Sequence, residues 1–435
     1  MTDPYDAIII GGGPGGATAA LVLARAGLRV VLFEKTTFPR FRIGESLVPR
    51  NTALFRELNL LEVIEAIPHM PKYGVEFAMG HELQSTCFLF ERGLLPGEPT
   101  MNVERASFDA MLLREAQAAG AEIHEGVGIK EILRLEENNV AVSTELGEFH
   151  GRFLFDASGQ GTVIARHLGT RKAYDDPALQ KVAYFAHFEN VRRRSGREAG
   201  HPGIFMCDEG WFWMIPIDPQ RMSVGFVADP NLVKQVNVPA NRMLAWAIAR
   251  CPAVSARMTQ ASGPQTNMVA ADFSYTCRPY AGPGYFLIGD AAAFLDPIFS
   301  TGVTLSMITA DMAAKKVIAI VKQNAAPQTA YRDYCKFVER GTGVFFKMIR
   351  QYYRHSFREL FLNGAGPMQV HRAVLSILAG NVFPKPPFAL RWRLALFHFF
   401  VAANARVSLV PRRQRFSLLK QMPHDPREKP APQGD

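Results

Sequence analysis

The segment from Tyr5 to Glu34 constrains this chain of 435 residues more than any other. Tyr5-Asp6-Ala7-Ile8-Ile9-Ile10 reads as a buried strand, and Gly11-Gly12-Gly13-Pro14-Gly15-Gly16 as a tight turn. An Ala/Leu-rich helix follows to about Ala26, Gly27 stops it, and Arg29–Phe33 forms a second strand ending at Glu34. Apolar runs bounded in this way make a βαβ unit. Within it, Gly11-x-Gly13-x-x-Gly16 lets backbone N–H groups approach a pyrophosphate at the positive end of a helix. Glu34, closing the next strand, is placed to accept both hydroxyls of an adenosine ribose. The glycine spacing alone would be a weak signal. The strand before it, the helix after it and the acid beyond turn it into a dinucleotide fingerprint.

Farther along, a loop rich in Arg and aromatics precedes an expected helix near 51–64, mixed strands over 74–103 and a helix over 108–119. Alternating segments over 121–155 read as a meander that returns to the nucleotide-binding part. Residues 180–230 are strand-rich, 239–258 helical, 285–290 a further strand, and about 302–322 a long helix. From 331 onward the pattern is helical and aromatic, and 422–435, rich in Pro and charge, is expected to be a disordered tail. At roughly 150 residues per domain the length suggests two or three domains. No internal repeat is visible.

Two later turns decide which dinucleotide is meant. Asp156-Ala157-Ser158-Gly159 and Gly289-Asp290-Ala291-Ala292 each close a strand. The first brings a second small-residue turn to the nucleotide; the second brings an acid able to hold the ribityl or pyrophosphate region of a flavin. Together with Val103-x-Arg105-x-x-Phe108-Asp109, this set resembles the FAD-dependent monooxygenases and their relatives. The resemblance implies an α/β fold: an FAD-binding, Rossmann-like architecture of the two-dinucleotide-domain, monooxygenase type. The FAD-binding domain would be discontinuous, over 1–50, 101–170 and 281–330. A β-rich substrate domain over 51–100 and 171–280 would interleave with it, and a helical C-terminal region would span 331–421. The cofactor-binding residues would be Gly11, Gly13, Gly16, Glu34, Arg42, Ser46, Arg105, Asp156, Gly159, Asp290, Pro297, Gly302 and Val303. Arg42 and Arg105 would neutralise phosphate, although each arginine taken singly reads equally well as a surface salt bridge.

Three further motifs narrow the family. Gly210-Trp211-Phe212-Trp213-Met214-Ile215-Pro216 resembles the W-x-W-x-I-P signature of flavin-dependent halogenases. Trp211 and Trp213, at i and i+2 on a strand, share one face. The resemblance makes them a wall between flavin and organic substrate; on residues alone they are core packing. Phe294-Leu295-Asp296-Pro297-Ile298-Phe299-Ser300-Thr301-Gly302-Val303 opens a helix. Free N–H groups and a positive dipole there suit a small anion. In the family, the matching segment holds chloride or bromide, here at Thr301 and Gly302; the plain alternatives are capping by Ser300 or closure around the flavin ring. Phe299 stands where the tryptophan-modifying members carry a glutamate, so the segment resembles phenol and pyrrole halogenases more. Finally, Pro71-Lys72-Tyr73-Gly74-Val75-Glu76-Phe77 follows Gly44-Glu45-Ser46-Leu47-Val48-Pro49. The resemblance makes Lys72 the catalytic lysine, holding hypohalous acid or forming a haloamine. A lone lysine is otherwise a solvated surface residue.

These implications amount to an expected reaction. Reduced FAD and oxygen convert halide at Thr301 and Gly302 to hypohalous acid, which travels to Lys72 and halogenates an electron-rich phenol or pyrrole, free or tethered to an acidic carrier protein. Only one dinucleotide fingerprint is present, so a separate flavin reductase is the expected partner. Rival readings on the same fold are an aromatic hydroxylase or an isoprenoid reductase. A non-enzymatic rival is a flavin-binding protein docked at a membrane.

Composition trims these options. No apolar stretch reaches the ~18 residues of a membrane span, and the start Met1-Thr2-Asp3-Pro4 carries an acid where a signal peptide carries bases. Cys87, Cys207, Cys251, Cys277 and Cys335 form no C-x-x-C pair, so neither a metal site nor a disulfide scaffold is expected, and the expected compartment is the cytoplasm. Residues 331–435 hold 18 Lys or Arg against 6 Asp or Glu, whereas the first 330 hold 31 against 34. The basicity therefore belongs to the C-terminal quarter. The stretch 384–416 mixes Phe397, Phe399 and Phe400 with Arg391, Arg393, Arg412, Arg413 and Arg415. A packed cap with a basic rim is the preferred reading; a carrier-protein dock or a helix at a membrane surface are the alternatives. Nucleic acid is not an expected partner.

Overall fold

In the computed structural model the described residues are 3–176, 179–271, 274–294, 296–363, 367–383 and 385–420. The expected tail over 422–435 lies outside them. The strand Tyr5–Ile10 is central to the first sheet, and Ala7, Ile8 and Ile9 have no exposure. Such an unbroken apolar run suits a parallel strand covered on both faces. It pairs in parallel with Val30–Glu34 on one side and Gly147–Asp156 on the other, and the latter pairs in parallel with Tyr285–Leu287. Glu122–Glu125 extends the sheet beyond Val30–Glu34, and the meander Glu131–Glu136, Asn139–Thr144 feeds into Gly147–Asp156. The register sets Ile10 beside Phe33 and Asp156, and Asp156 beside Leu287. All these strands thus end at one edge. Main-chain bonds tie their turns together: Gly11 N–H to Phe33 O (2.8 Å), Ala157 N–H to Ile10 O (2.9 Å) and Ile288 N–H to Asp156 O (2.8 Å). Ligands of open α/β sheets bind in such a crevice.

The second sheet runs Met268–Ala270, Val182–Glu189, Arg221–Ala228, Gly210–Pro216, Gly203–Cys207, Gly74–Met79, Thr86–Leu89. Its Trp-bearing strand, Gly210–Pro216, is buried along its whole length. A separate ribbon pairs His69–Lys72 with Thr100–Val103 and sets Lys72 opposite Thr100. The helix Pro327–Tyr352 joins the two cores: Tyr331, Tyr334 and Phe337 pack under the first sheet, and Phe345, Met348, Ile349 and Tyr352 into the core of the second. Helices His355–Asn363, Val370–Leu378 and Phe388–Asn404 complete that second core.

Two expected helices are each broken in two. The one near 51–64 becomes Pro49–Glu57 and Leu61–Glu65, because Asn59 takes a left-handed conformation (φ 51°) that ends the first piece. The 239–258 helix becomes Met243–Arg250 and Pro252–Ser255, since Pro252 has no N–H to continue the ladder. The basic end of the chain is folded back on the second sheet. Arg412 pairs with Glu359 (3.1 Å), Arg413 with Glu82 (2.6 Å) and Arg415 with Asp208 (3.2 Å). Phe416 is buried and its carbonyl accepts from Asp208 N–H at 2.8 Å. Among the described residues no helix is long and apolar enough to cross a membrane.

Candidate active site

One cavity of about 860 Å³ opens where the strand ends of the first sheet face the second sheet. Its nucleotide side is made of main chain. Gly11 has φ +96°, and a Cβ there would meet Ala157 O at 2.5 Å; a Cβ on Gly16 would press on Gly11 O. Glycine at these positions lets turn and helix close on one another. Gly13 instead faces space, with only Arg40 Nη2 nearby at 3.4 Å. Glu34 lines the cavity and accepts from Gly12 N–H (2.8 Å) and from Thr36 N–H (3.0 Å) and Oγ1 (2.7 Å). Burial alone would push its carboxyl up, but these bonds and the Arg40 charge outweigh it and hold the group below the usual range.

The expected cofactor residues do not all reach the cavity. Gly11, Gly13, Glu34, Arg42, Ser46, Arg105, Gly159, Asp290, Pro297, Gly302 and Val303 line it. Gly16 packs behind the turn, and Asp156 is fully buried, accepting from Ser158 N–H (3.0 Å), Ser158 Oγ (2.6 Å) and Ile164 N–H (2.7 Å). Asp156 thus shapes the second turn from behind. The Arg105 guanidinium is engaged by both Asp109 oxygens (2.8 and 2.9 Å) and by Ile43 O (2.6 Å). Arg42 lies at the exposed rim. Arg40, which no motif singled out, is the cation beside Gly13; it sits 3.9 Å from Glu34 and 3.2 Å from Asp109, and its Nε is buried with no partner among the described residues. Burial pushes the Asp290 carboxyl up to about 7 against the opposing charge of Arg105, so it can donate as well as accept a hydrogen bond. The open face of Gly13, the orphaned Arg40 nitrogen and Asp290 fit a nucleotide with a pyrophosphate and a polyol chain.

On the opposite wall, Trp211 and Trp213 both line the cavity, their rings 6.0 Å apart. Each indole N–H is held: Trp213 donates to Ser223 Oγ (3.0 Å) and Trp211 to Tyr353 OH (3.2 Å). Tyr353 in turn donates to Asp296, which accepts from Ile298 N–H at 3.0 Å. The tryptophan wall and the loop before Thr301 are therefore linked through one tyrosine from the C-terminal region. Burial pushes Asp296 up to about 6, with the Tyr353 and Ile298 bonds opposing. No spacing in the sequence announces Tyr353, because its partners lie 142 and 57 residues away.

The helix Gly302–Gln323 begins at this loop. Its N-cap is Thr301, with no side-chain capping bond, and Ser300 takes a left-handed conformation instead of capping. A Cβ on Gly302 would meet nothing within 4 Å. Thr301, Gly302 and Val303 thus present an uncapped helix N-terminus to the cavity. Lys72 lines the same cavity with 2% exposure. Its Nζ donates to Ser46 Oγ (2.9 Å) and Leu47 O (2.6 Å) and lies 5.2 Å from the Phe90 ring centroid. Burial pushes the ammonium down to about 7, so both protonation states are accessible near neutrality.

The profile of the FAD binding domain family matches residues 4–337. A 1H-pyrrole-2-carbonyl-[peptidyl-carrier protein] chlorinase of Pseudomonas fluorescens is 30% identical over 406 residues, covering 87% of this chain and 90% of that protein. The chain belongs to the flavin-dependent halogenases. A tryptophan 2-halogenase of Chondromyces crocatus is 34% identical over 340 residues, 75% of this chain and 64% of its own length. The flavin-dependent brominase Bmp2 superposes with a TM-score of 0.78 at 28% identity, over 91% of this chain and all of that one. This halogenase is accordingly an FAD-dependent enzyme that acts with halide, on the monooxygenase-type fold described above.

Proposed function

We propose that this halogenase modifies a pyrrole or phenol acyl group carried on a peptidyl carrier protein, with Thr301–Val303 as the halide site and Lys72 as the group that hands halogen to the ring. The supporting observation is that a buried lysine held by two oxygens shares one cavity with an uncapped helix N-terminus. The carrier-bound pyrrole is what the Pseudomonas fluorescens relative acts on. Phe299, standing where a tryptophan-modifying member would carry glutamate, favours pyrrole or phenol over free tryptophan.

Reduced FAD, when bound, supplies the activation of oxygen that oxidises halide. The Gly11–Gly16 turn would receive the pyrophosphate on main-chain N–H groups, with Arg40 and Glu34 beside it, and Asp290 would hold the polyol chain. The N–H groups that open the Gly302–Gln323 helix hold the halide with the helix dipole behind them. Trp211 and Trp213 keep the aromatic substrate off the flavin. As an ammonium, Lys72 hydrogen-bonds hypohalous acid. As an amine, it takes halogen from the acid, an N–X bond forming as the O–X bond breaks and water leaving with the amine proton. Either form positions the electrophile over one ring carbon. Reduced flavin comes from a separate reductase, and five free thiols suit a reducing cytosol.

The test is mass spectrometry of 1H-pyrrole-2-carbonyl carrier protein after incubation with this enzyme, a flavin reductase, oxygen and chloride or bromide. A halide-dependent mass increase on the tethered acyl group is expected. Hydroxylated product, or product formed without halide, would sink the reading.

A further inference from the structure

An apolar groove of about 280 Å³ lies among the helices His355–Asn363, Val370–Leu378 and Phe388–Asn404, with Leu409 and Val410 as its outer wall. Two elements continue from this groove into the cavity of Lys72. Val370, Val374 and Leu378 follow one another at i, i+4 and i+8, one face of a helix. The first two line the groove and the third lines the cavity, about 12 Å along the axis from the start of the row. Likewise Phe88 lines the groove, while Phe90, two residues on, lines the cavity beneath the Lys72 ammonium. Between them stands an aromatic partition. Phe361 packs on Phe88 (4.6 Å) and on Phe77 (4.8 Å), and Phe77 lines the cavity.

The groove carries one polar anomaly. Nδ1 of groove-lining His371 is buried with no partner among the described residues. The segment that supplies most of the groove's lining is one-signed in sequence: residues 360–424 contain nine Lys or Arg and no Asp or Glu, and the preceding Glu359 is buried and already paired with Arg412. Arg412, Arg413 and Arg415 are paired within the chain, but Lys385, Arg391, Arg406 and Lys420 meet no carboxylate among the described residues. Phe388 and Phe399 add exposed rings (71% and 64%) to the same surface of the Phe388–Asn404 helix.

We propose that this groove is the outer half of the passage through which the pantetheine arm of an acidic carrier protein reaches Lys72, and that the Phe388–Phe399 face receives the carrier. The inference rests on the carrier-tethered reading above. A thin, flexible arm of methylenes and amides matches an apolar channel with one unsatisfied ring nitrogen. The negative carrier matches the surplus of unpaired bases. The arm enters when the Phe88 and Phe361 rings turn aside, and Val370, Val374 and Leu378 guide it.

The test compares pyrrole-2-carbonyl on the carrier with the same acyl group on free pantetheine. Leu409 is half-exposed, so Leu409→Trp plugs the groove without touching the core. It should cut kcat/KM for both substrates by roughly tenfold or more, with halide-dependent flavin reoxidation near the wild-type rate. The double variant Arg391→Glu, Arg406→Glu should raise KM by about tenfold for the carrier substrate and leave acyl-pantetheine unchanged. Wild-type kinetics on the carrier substrate in Leu409→Trp would overturn the passage while leaving the carrier reading intact. A wild-type enzyme that halogenates free pyrrole but not the carrier-bound group would remove the reading and the inference together. Binding to anionic phospholipid vesicles that the double variant abolishes, with unchanged carrier kinetics, would assign the face to lipid and overturn the proposal.

Discussion

Gly13 and Lys72 line the same cavity, yet the walls they belong to are built differently. Around Gly13 the ligand meets main chain: glycines that admit close approach, a helix end, and turns locked by N–H to carbonyl bonds across neighbouring strands. Around Lys72 the ligand meets side chains, each held by a partner on another element: Ser46 for Lys72, Ser223 on the neighbouring strand for Trp213, Tyr353 from the C-terminal helices for Trp211. A main-chain site depends on which residues lack a Cβ. A side-chain site depends on what anchors each functional group and how dry its surroundings are.

Lys72 offers the hardest break of that contrast. Lys72→Ala should lower halogenated product by about three orders of magnitude, since positioning the electrophile supplies most of the rate. FAD binding and halide-dependent reoxidation of reduced flavin should stay close to wild type. Lys72→Arg should not rescue, because a guanidinium does not give up its proton to become a nucleophile. Product and flavin reoxidation measured in the same samples decide it; an active Lys72→Ala enzyme ends the assignment.

On the main-chain wall, two glycines should fail in different ways. Gly13→Val should weaken FAD binding by roughly two orders of magnitude or more while the protein stays folded, because the position faces open space. Gly16→Val should prevent folding, since its Cβ would collide with Gly11 O. Circular dichroism with flavin titration separates the outcomes. Equal FAD affinity in Gly13→Val would show that this turn does not hold the pyrophosphate.

Tyr353→Phe probes the link between the walls. It removes the bond to Asp296 and the acceptor of Trp211 N–H, and should raise the KM for halide several-fold, about 1 kcal/mol. The KM for the aromatic substrate should move less. A halide KM equal to wild type would leave Tyr353 as packing alone.

A last break, read on stability and not on catalysis, is a pH effect on the cofactor-free protein. The folded-state pKa of Lys72 is pushed down to about 7 from 10.5. Between those values the unfolded chain binds a proton that the folded chain does not, so the Lys72 contribution to stability rises with pH across that window. Asp290 has the opposite sign: raised from 3.8 to about 7, it makes stability fall as pH climbs between those values. Melting curves of wild type and Lys72→Met should therefore diverge between neutral and alkaline pH, the wild type gaining relative to the variant. Parallel curves would mean that the ammonium is not desolvated.

This contrast also explains what could be read in advance. The βαβ unit, the strand ending at Asp156 and the helix from Gly302 were legible because apolar runs and glycines report backbone geometry directly. Trp211, Trp213, Thr301 and Lys72 were found through family motifs, and the structure gathers them on one cavity. Arg40 was missed and Arg42 and Arg105 preferred, because nothing local in an arginine-rich loop tells which guanidinium lies over the turn and which is consumed by Asp109. The helix breaks at Asn59 and Pro252 were in principle readable, as left-handed asparagine and imino nitrogen both end helices. Tyr353 was not, since its role exists only once the C-terminal helices dock.

The return of residues 412–418 to the second sheet has a consequence for how the protein is made. Phe416 packs against Gly80, Arg413 reaches Glu82, and Glu209 accepts from Ser417 Oγ and Leu418 N–H. A ribosome finishes the Gly74–Met79 strand more than three hundred residues before those partners emerge. Until then the end of the sheet around Gly80, Glu82 and Glu209 stays uncovered, and Glu359, fully buried in the finished fold, waits for Asn404 and Arg412. Synthesis of this halogenase should therefore be unusually dependent on holdase chaperones, and a stop codon placed before Arg412 should send the product to aggregates even with every catalytic residue already present.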